Sequence, residues 1–259
     1  MDLGLDGKKA IVCASSRGLG KACAISLARE GVDVIINGLT EERLAGAEAE
    51  ITALGAGRVS AVLADINTES GRAALIAACP DADILVNNND GPPPGAFSNW
   101  QQADFQAAID ANFMAPVFMI QGLIEGMKAR GFGRIVNITS AMVKAPRAPM
   151  GLSTSARSGL TAFCKGLSVE VAPFNVTINN MLPERFDTDR QKFMVEMVVK
   201  FKGITREEAI AEIHESIAAK RMGQPHEFGD ACAFLCSAQA GFISGQNLQL
   251  DGGSYPGLI

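Results

Sequence analysis

The amino-acid sequence predicts an α/β fold, a single doubly wound parallel sheet of about seven strands with helices on both faces. Three observations predict it. Short β-branched segments alternate with longer segments of helical periodicity along the whole chain. The strand segments are almost continuously apolar, which suits parallel strands buried on both faces. Strand–helix alternation of this kind builds right-handed βαβ units, which stack into one sheet.

The elements follow in order. "KAIVCA" (9–14) reads as a strand, and "GLGKACAISLARE" (18–30) follows with apolar residues at helical spacing. "VDVIIN" (32–37) is a second strand, and "EERLAGAEAEITALG" is a helix stopped by Gly55. Then come a strand over 59–65, the helix "TESGRAALIAAC", a strand over 83–88, a long helical stretch through 101–130 and a strand over 133–140. A helix from about 152 to 172, a strand over 175–182, polar helices to about 220, a helix near 226–238 and a strand over 247–253 complete the pattern. No repeat, linker or low-complexity segment interrupts it, so residues 1–259 read as one Rossmann-type domain.

Composition narrows the function classes. Hydrophobic residues make up 47% and charged residues 20%, ordinary for a soluble globular protein. A net charge of −5 with no Lys/Arg cluster argues against a nucleic-acid partner, because phosphate binding wants a basic face. The longest apolar runs fall short of the ~20 residues that span a bilayer, and "MDLGLDGKKAIV" lacks the apolar centre of a signal peptide. No membrane association is expected, and the cytoplasm is the expected location. The cysteines Cys13, Cys23, Cys79, Cys164, Cys232 and Cys236 form no CxxC pair, and His214 and His226 are not spaced with them as ligands. Neither a metal site nor a disulfide framework is expected. Cys232 and Cys236, four apart on an apolar helix face, read as small core residues.

The turn "CASSRGLG" (13–20) lies between the first strand and the first helix, where free amides and the helix dipole hold a dinucleotide pyrophosphate. It resembles the TGxxxGIG turn of the short-chain dehydrogenase/reductase family, with Ala14 at the first glycine. "LVNNND" resembles that family's NNAG strand end, and "IDANF" its helix asparagine, Asn112. "VNITS" resembles the strand that ends in the catalytic serine, Ser140; "NNMLPERFDT" resembles the PGxxxT segment, and "FISGQNLQLDGG" the C-terminal ITGxxxxVDGG strand. The resemblance covers essentially the whole chain and is nearest to the β-ketoacyl thioester reductase-like members. It implies an NADP or NAD site at Ala14, Ser16, Arg17, Gly18, Leu19, Gly20, Asp65, Ile66, Asn88 and Thr188. Arg17 and the missing acid at Gly38 lean toward NADP, whereas Leu39 stands where many NADP-preferring members carry arginine; Arg17 also reads simply as a solvated surface residue.

The resemblance implies that a tyrosine passes the proton and a lysine one helical turn on lowers its pKa. Thirteen residues after Ser140 the chain has Ser153, and four further on Arg157. The only tyrosine is Tyr255, near the C-terminus. A phenol with an ordinary pKa near ~10 is tunable by a neighbouring cation; an aliphatic hydroxyl is several units weaker, and losing a placed acid–base group costs about 10²–10⁴-fold. Arginine keeps the charge but not the geometry of lysine. Asn89 and Asp90 replace the small residue and glycine of NNAG, and Glu184 replaces the glycine of PG, adding bulk and negative charge near an anionic cofactor. Asn112, Ser140 and Thr188 are retained, and each also has a structural use, as a helix-kink bridge, a strand end and a helix cap.

Three functions are therefore in play. The expected one is a degenerate subunit that partners an active short-chain dehydrogenase/reductase paralogue, or itself, in a tetramer acting on a β-hydroxyacyl or β-ketoacyl thioester, with aromatic acyl-CoA degradation as one setting. The apolar face of "LTAFCKGLSVEVA" (160–172) fits such packing, and equally fits a core. The second is a stand-alone NADP-dependent reductase with a rearranged relay at Ser140, Ser153 and Arg157. The "GPPPG" loop (91–95) resembles a subgroup carrying Ser and Arg in this helix, with Lys144 or water as proton source. The third is a nucleotide or acyl-thioester binding protein. Residues 190–216 match the family's variable substrate lid; their Met and Phe suggest an apolar ligand, or packing.

Overall fold

The computed structural model describes residues 1–54 and 57–258. Among these, seven parallel strands form one sheet: β1 (Lys9–Val12), β2 (Asp33–Gly38), β3 (Val59–Leu63), β4 (Ile84–Asn87), β5 (Gly133–Ile138), β6 (Val176–Pro183) and β7 (Asn247–Leu250). Their order is β3-β2-β1-β4-β5-β6-β7. The helices are α1 (Gly18–Arg29), α2 (Glu41–Thr52), α3 (Glu69–Ala78), α4 (Gln102–Ile109), α5 (Ala115–Arg130), α6 (Gly151–Val171), α7 (Asp189–Lys202), α8 (Arg206–Glu215) and α9 (Pro225–Cys236). The expected Rossmann-type sheet is thus present. The helix stop expected at Gly55 lies outside the described residues.

Alternation along each strand sends side chains to two cores. Val12, Val34 and Ile36 face α1 and α9, where Leu27 and Phe228 are fully buried. Ile11, Leu85 and Ile135 face α3, α5 and α6 with Leu75, Met119 and Leu160. Each such side chain contributes about 1.5–3 kcal/mol of burial. All six cysteines are buried free thiols, Cys23, Cys232 and Cys236 among them in the α1–α9 core.

Between β4 and β7 the sheet carries a ladder of side-chain amides. Asn87, Asn137, Asn180 and Asn247 are direct neighbours across four strands. Each Nδ2 donates to the next Oδ1 at 2.9 Å. A buried amide needs partners on both ends, and the parallel register supplies them.

Two expectations change. The stretch 101–130 is not one α-helix: a π-helical turn at Asp110–Met114 separates α4 from α5. Pro116 has no N–H to close a bond to the carbonyl of residue 112, and its ring crowds that carbonyl. By length and hydropathy alone the stretch Gln102–Arg130 would cross a membrane, but Met119, Leu123 and Met127 are spent on the core. The last strand ends at Leu250 rather than 253, because Gly252 and Gly253 turn the chain at φ 65° and 81°.

Candidate active site

A cleft of about 740 Å³ opens at the carboxyl ends of the strands. It lies beside the reversal of strand order between β1 and β4, where doubly wound sheets bind ligands. Of the residues expected in the site, Ala14, Ser16, Arg17, Gly18, Leu19, Asp65, Ile66, Asn88, Ser140, Ser153, Arg157 and Thr188 line it.

At one end the β1–α1 turn is fixed by two asparagines. Ala14 donates its N–H to Asn37 Oδ1 (3.2 Å) and accepts from Asn88 Nδ2 (3.1 Å). Bracketed this way, Ala14 holds the left-handed conformation (φ 45°) that a glycine adopts without strain. Arg17 gives α1 no side-chain cap, so the first amides of the helix open on the cleft. Gly18 (φ 59°) has open space where a Cβ would sit. Gly20 is a correction: it is not on the cleft wall, and a Cβ there would lie 2.5 Å from Ala14 O and 2.8 Å from Asn88 Nδ2. Its role is close packing of helix on turn.

The acidic departures are neutralised locally. Asp90 pairs with Arg17 at 3.5 Å, and Glu184 pairs with Arg147 at 2.7 Å. Both acids still line the cleft, as expected, but their charges are offset by arginines. Thr188 caps α7, accepting from Gln191 N at 3.4 Å.

The other end is built on α6. Ser153 and Arg157, one turn apart, share a buried face. Arg157 is 8% exposed. Its Nη1 donates to Ile138 O (2.6 Å), its Nη2 to Asn89 O (3.2 Å) and its Nε to Ser153 Oγ (3.2 Å). β4 stops at Asn87 while its neighbour β5 continues to Ile138, so the guanidinium stitches the two strand ends where their pairing stops. Burial lowers the Arg157 pKa to about 10, helped by the charge of Arg190 and opposed by Asp90. Ser140 Oγ accepts from Met142 N at 3.2 Å.

Two expected positions lie elsewhere. Asn112 lines a smaller cavity behind the 90–94 loop, with Trp100 and Leu152. Its Nδ2 donates to Asp90 O (3.3 Å), and its Oδ1 is buried without a partner among the described residues; the π turn aims it at the loop. Lys144 is not on the cleft wall. Its Nζ sits 5.6 Å from the centre of the Tyr255 ring.

With this geometry established, comparison with known proteins identifies the family. The model of the family described as enoyl-(acyl carrier protein) reductase matches residues 13–255. The chain belongs to the short-chain dehydrogenase/reductase family. It is 32% identical over 256 residues to the NADPH-dependent reductase BacG of Bacillus subtilis, covering 97% of this chain and 99% of that one. It is 30% identical to the 3-oxoacyl-[acyl-carrier-protein] reductase FabG of Vibrio cholerae, covering 98% and 99%. L-sorbose reductase from Gluconobacter frateurii, solved with NADPH and L-sorbose, superposes with a TM-score of 0.94 at 28% identity over 100% of both chains.

In this short-chain dehydrogenase/reductase, the sequence reading missed Asn37, Arg43 and Arg190, all on the cleft wall. Asn37 had a signal: a lone amide ending the apolar run "VDVIIN". Arg43 and Arg190 sit in first turns of polar helices and read as solvated surface.

Proposed function

We propose that the chain is a stand-alone, NADPH-preferring reductase of small carbonyl compounds, in which Ser140, Ser153 and Arg157 serve where the family uses serine, tyrosine and lysine. The cofactor fit rests on the uncapped α1 N-terminus, the bare backbone at Gly18 and the flanking Asp65 and Ile66. Arg17 and Arg43 line the same wall, and Gly38 offers no carboxylate to a ribose. BacG is named NADPH-dependent, which supports the same choice. Bound reduced nicotinamide would supply the hydride.

One observation carries the catalytic reading. Both serine oxygens already accept a bond, Ser140 from Met142 N–H and Ser153 from Arg157 Nε–H. Among the described residues neither hydroxyl has a protein acceptor, so both protons are left to donate into the cleft. A substrate carbonyl between them would have its growing negative charge held by two hydroxyls, one polarised by a buried cation; such donors contribute about 10²–10³-fold each. Neither an aliphatic hydroxyl nor a guanidinium is a matched acid at neutral pH, so water in the open cleft delivers the proton. Exposed Phe118 on α5 and Phe163 and Val169 on α6 support self-association of this subunit.

The test is fluorescence titration of the purified chain with NADPH and NADH, followed by NADPH oxidation with a ketone panel, for wild type and Ser140→Ala. Micromolar NADPH binding, weaker NADH binding and turnover reduced about 10²-fold or more in Ser140→Ala are expected. No binding at millimolar cofactor would overturn the proposal and favour a silent subunit beside an active paralogue. Tight binding without turnover would favour a nucleotide-binding role.

A further inference from the structure

We propose that Arg157 and Arg190 form an anion clamp at the reacting end of the cleft, and that the substrate carries a carboxylate beside its reducible carbonyl. This deepens the reductase reading above and rests on it.

Among the described residues, Arg157 is a buried cation with no carboxylate within ion-pair distance. Its three bonds go to two main-chain carbonyls and one hydroxyl. A guanidinium has five N–H groups, so one on Nη1 and one on Nη2 remain. Buried charges are normally paired, because neutral acceptors do not offset the loss of water. The acids on this stretch of wall have their ion pairs elsewhere, Asp90 with Arg17, Glu184 with Arg147 and Asp189 with Lys192, and Asp90 acts on Arg157 only through space. Arg157 lines the cleft despite its burial, and Gly91 puts no side chain beside the guanidinium; a Cβ would sit 3.4 Å from Nη2 and 3.6 Å from Ser153 Oγ.

Arg190 comes to the same loop from the first turn of α7. Its Nη2 donates to Pro92 O at 3.1 Å, while Arg157 Nη2 donates to Asn89 O at 3.2 Å. Both arginines therefore hold the same short loop segment and line the same cleft. The two like charges repel, the effect already noted on Arg157. A carboxylate between them would offset both charges and gain charge-assisted hydrogen bonds from either side. It would leave the carbonyl of an oxo acid free to face Ser140 and Ser153. A thioester would bring only a neutral carbonyl to this end. Phe193, also on the wall, would cover an apolar remainder.

The test is calorimetric binding of pyruvate, benzoylformate and levulinate, each against its methyl ester, to the cofactor-free and the NADP⁺-loaded protein. Acetoacetyl-N-acetylcysteamine serves as a neutral thioester. At least one acid is expected to bind about tenfold or more tighter than its ester, as a bond to a charged group implies. Arg190→Gln, a change on an exposed side chain, is expected to remove most of that preference by weakening acid binding far more than ester binding. Equal affinities for acid and ester, no binding of any acid, tighter binding of the thioester, or a preference unmoved in Arg190→Gln would each overturn the clamp. An acid preference in a chain that binds no NADPH would uphold the clamp and sink the reductase reading; NADPH turnover with equal acid and ester affinities would do the reverse.

Discussion

Replacing Arg157 with lysine is expected to destabilise the protein more than replacing it with methionine, against the usual ranking of conservative changes. The Arg157 pKa is lowered from its ordinary value, more than two units higher, to about 10, chiefly by burial. At 1.36 kcal/mol per unit, holding the charge costs roughly 3 kcal/mol. Because the folded value lies below the ordinary one, that penalty is fully present at neutral pH and is relieved only as pH rises above about 10 toward the ordinary arginine value. Against it stand three bonds, of which the one to Ser153 Oγ reaches a hydroxyl on the cleft wall while those to Ile138 O and Asn89 O would, if lost, strand two acceptors at about 1–3 kcal/mol each. Methionine gives up both carbonyl bonds but also removes the charge, a net loss of about 1 kcal/mol. Lysine keeps the charge, and its single ammonium cannot bridge two carbonyls held by separate nitrogens, a net loss of about 2 kcal/mol. Urea denaturation at neutral pH should place the midpoints in the order wild type, Arg157→Met, Arg157→Lys, with unchanged slopes. A lysine variant as stable as wild type, or more stable than the methionine variant, would refute the reasoning, because it would mean the charge rather than the fork holds the strand ends.

Asn137→Ala breaks the middle of the amide ladder and strands Asn180 Oδ1; a loss of about 2–4 kcal/mol is expected in chemical denaturation. Gly20→Ala forces a Cβ against Ala14 O, so NADPH binding is expected to fall below detection by fluorescence along with about 1–3 kcal/mol of stability. Asp90→Asn frees Arg17 and removes a negative charge from the cleft; NADPH should bind a few-fold tighter, since an exposed pair is worth at most about 1 kcal/mol. Arg221 and the Gln224 N–H lower the Glu227 pKa from 4.5 to about 2. Its stabilising contribution is therefore complete above pH 4.5 and lost as pH falls toward 2, and Glu227→Gln should flatten the acid limb of the melting-temperature profile over that window.

How far the site was legible varies by residue. Ser140, Ser153 and Arg157 were singled out by resemblance to the family's serine, tyrosine and lysine positions, and the strand end and one helix face bring the three to one cleft. The charges of Asp90 and Glu184 were legible but their effect was not, since the partners Arg17 and Arg147 are 73 and 37 residues away in sequence. Asn112 was placed correctly in a helix kink, yet which cavity it faces depends on how the 90–94 loop folds over it. Arg190 looked like any first-turn cation of a polar helix until α7 was docked beside the 91–95 loop.

Local sequence determined the elements and their order, because periodicity, glycine turns and apolar runs act within a few residues of one another. It also determined that no tyrosine can serve on α6, since the chain has none there. Only the tertiary structure decided what stands in its place. Whether a buried arginine is a structural stitch, a polariser of Ser153 or an anion receptor depends on the carbonyls of Ile138 and Asn89 and on the acids that have found other partners. Those are long-range pairings, set by sheet register and loop closure, and electrostatics in a desolvated cleft depends on them more than on which residue types are present.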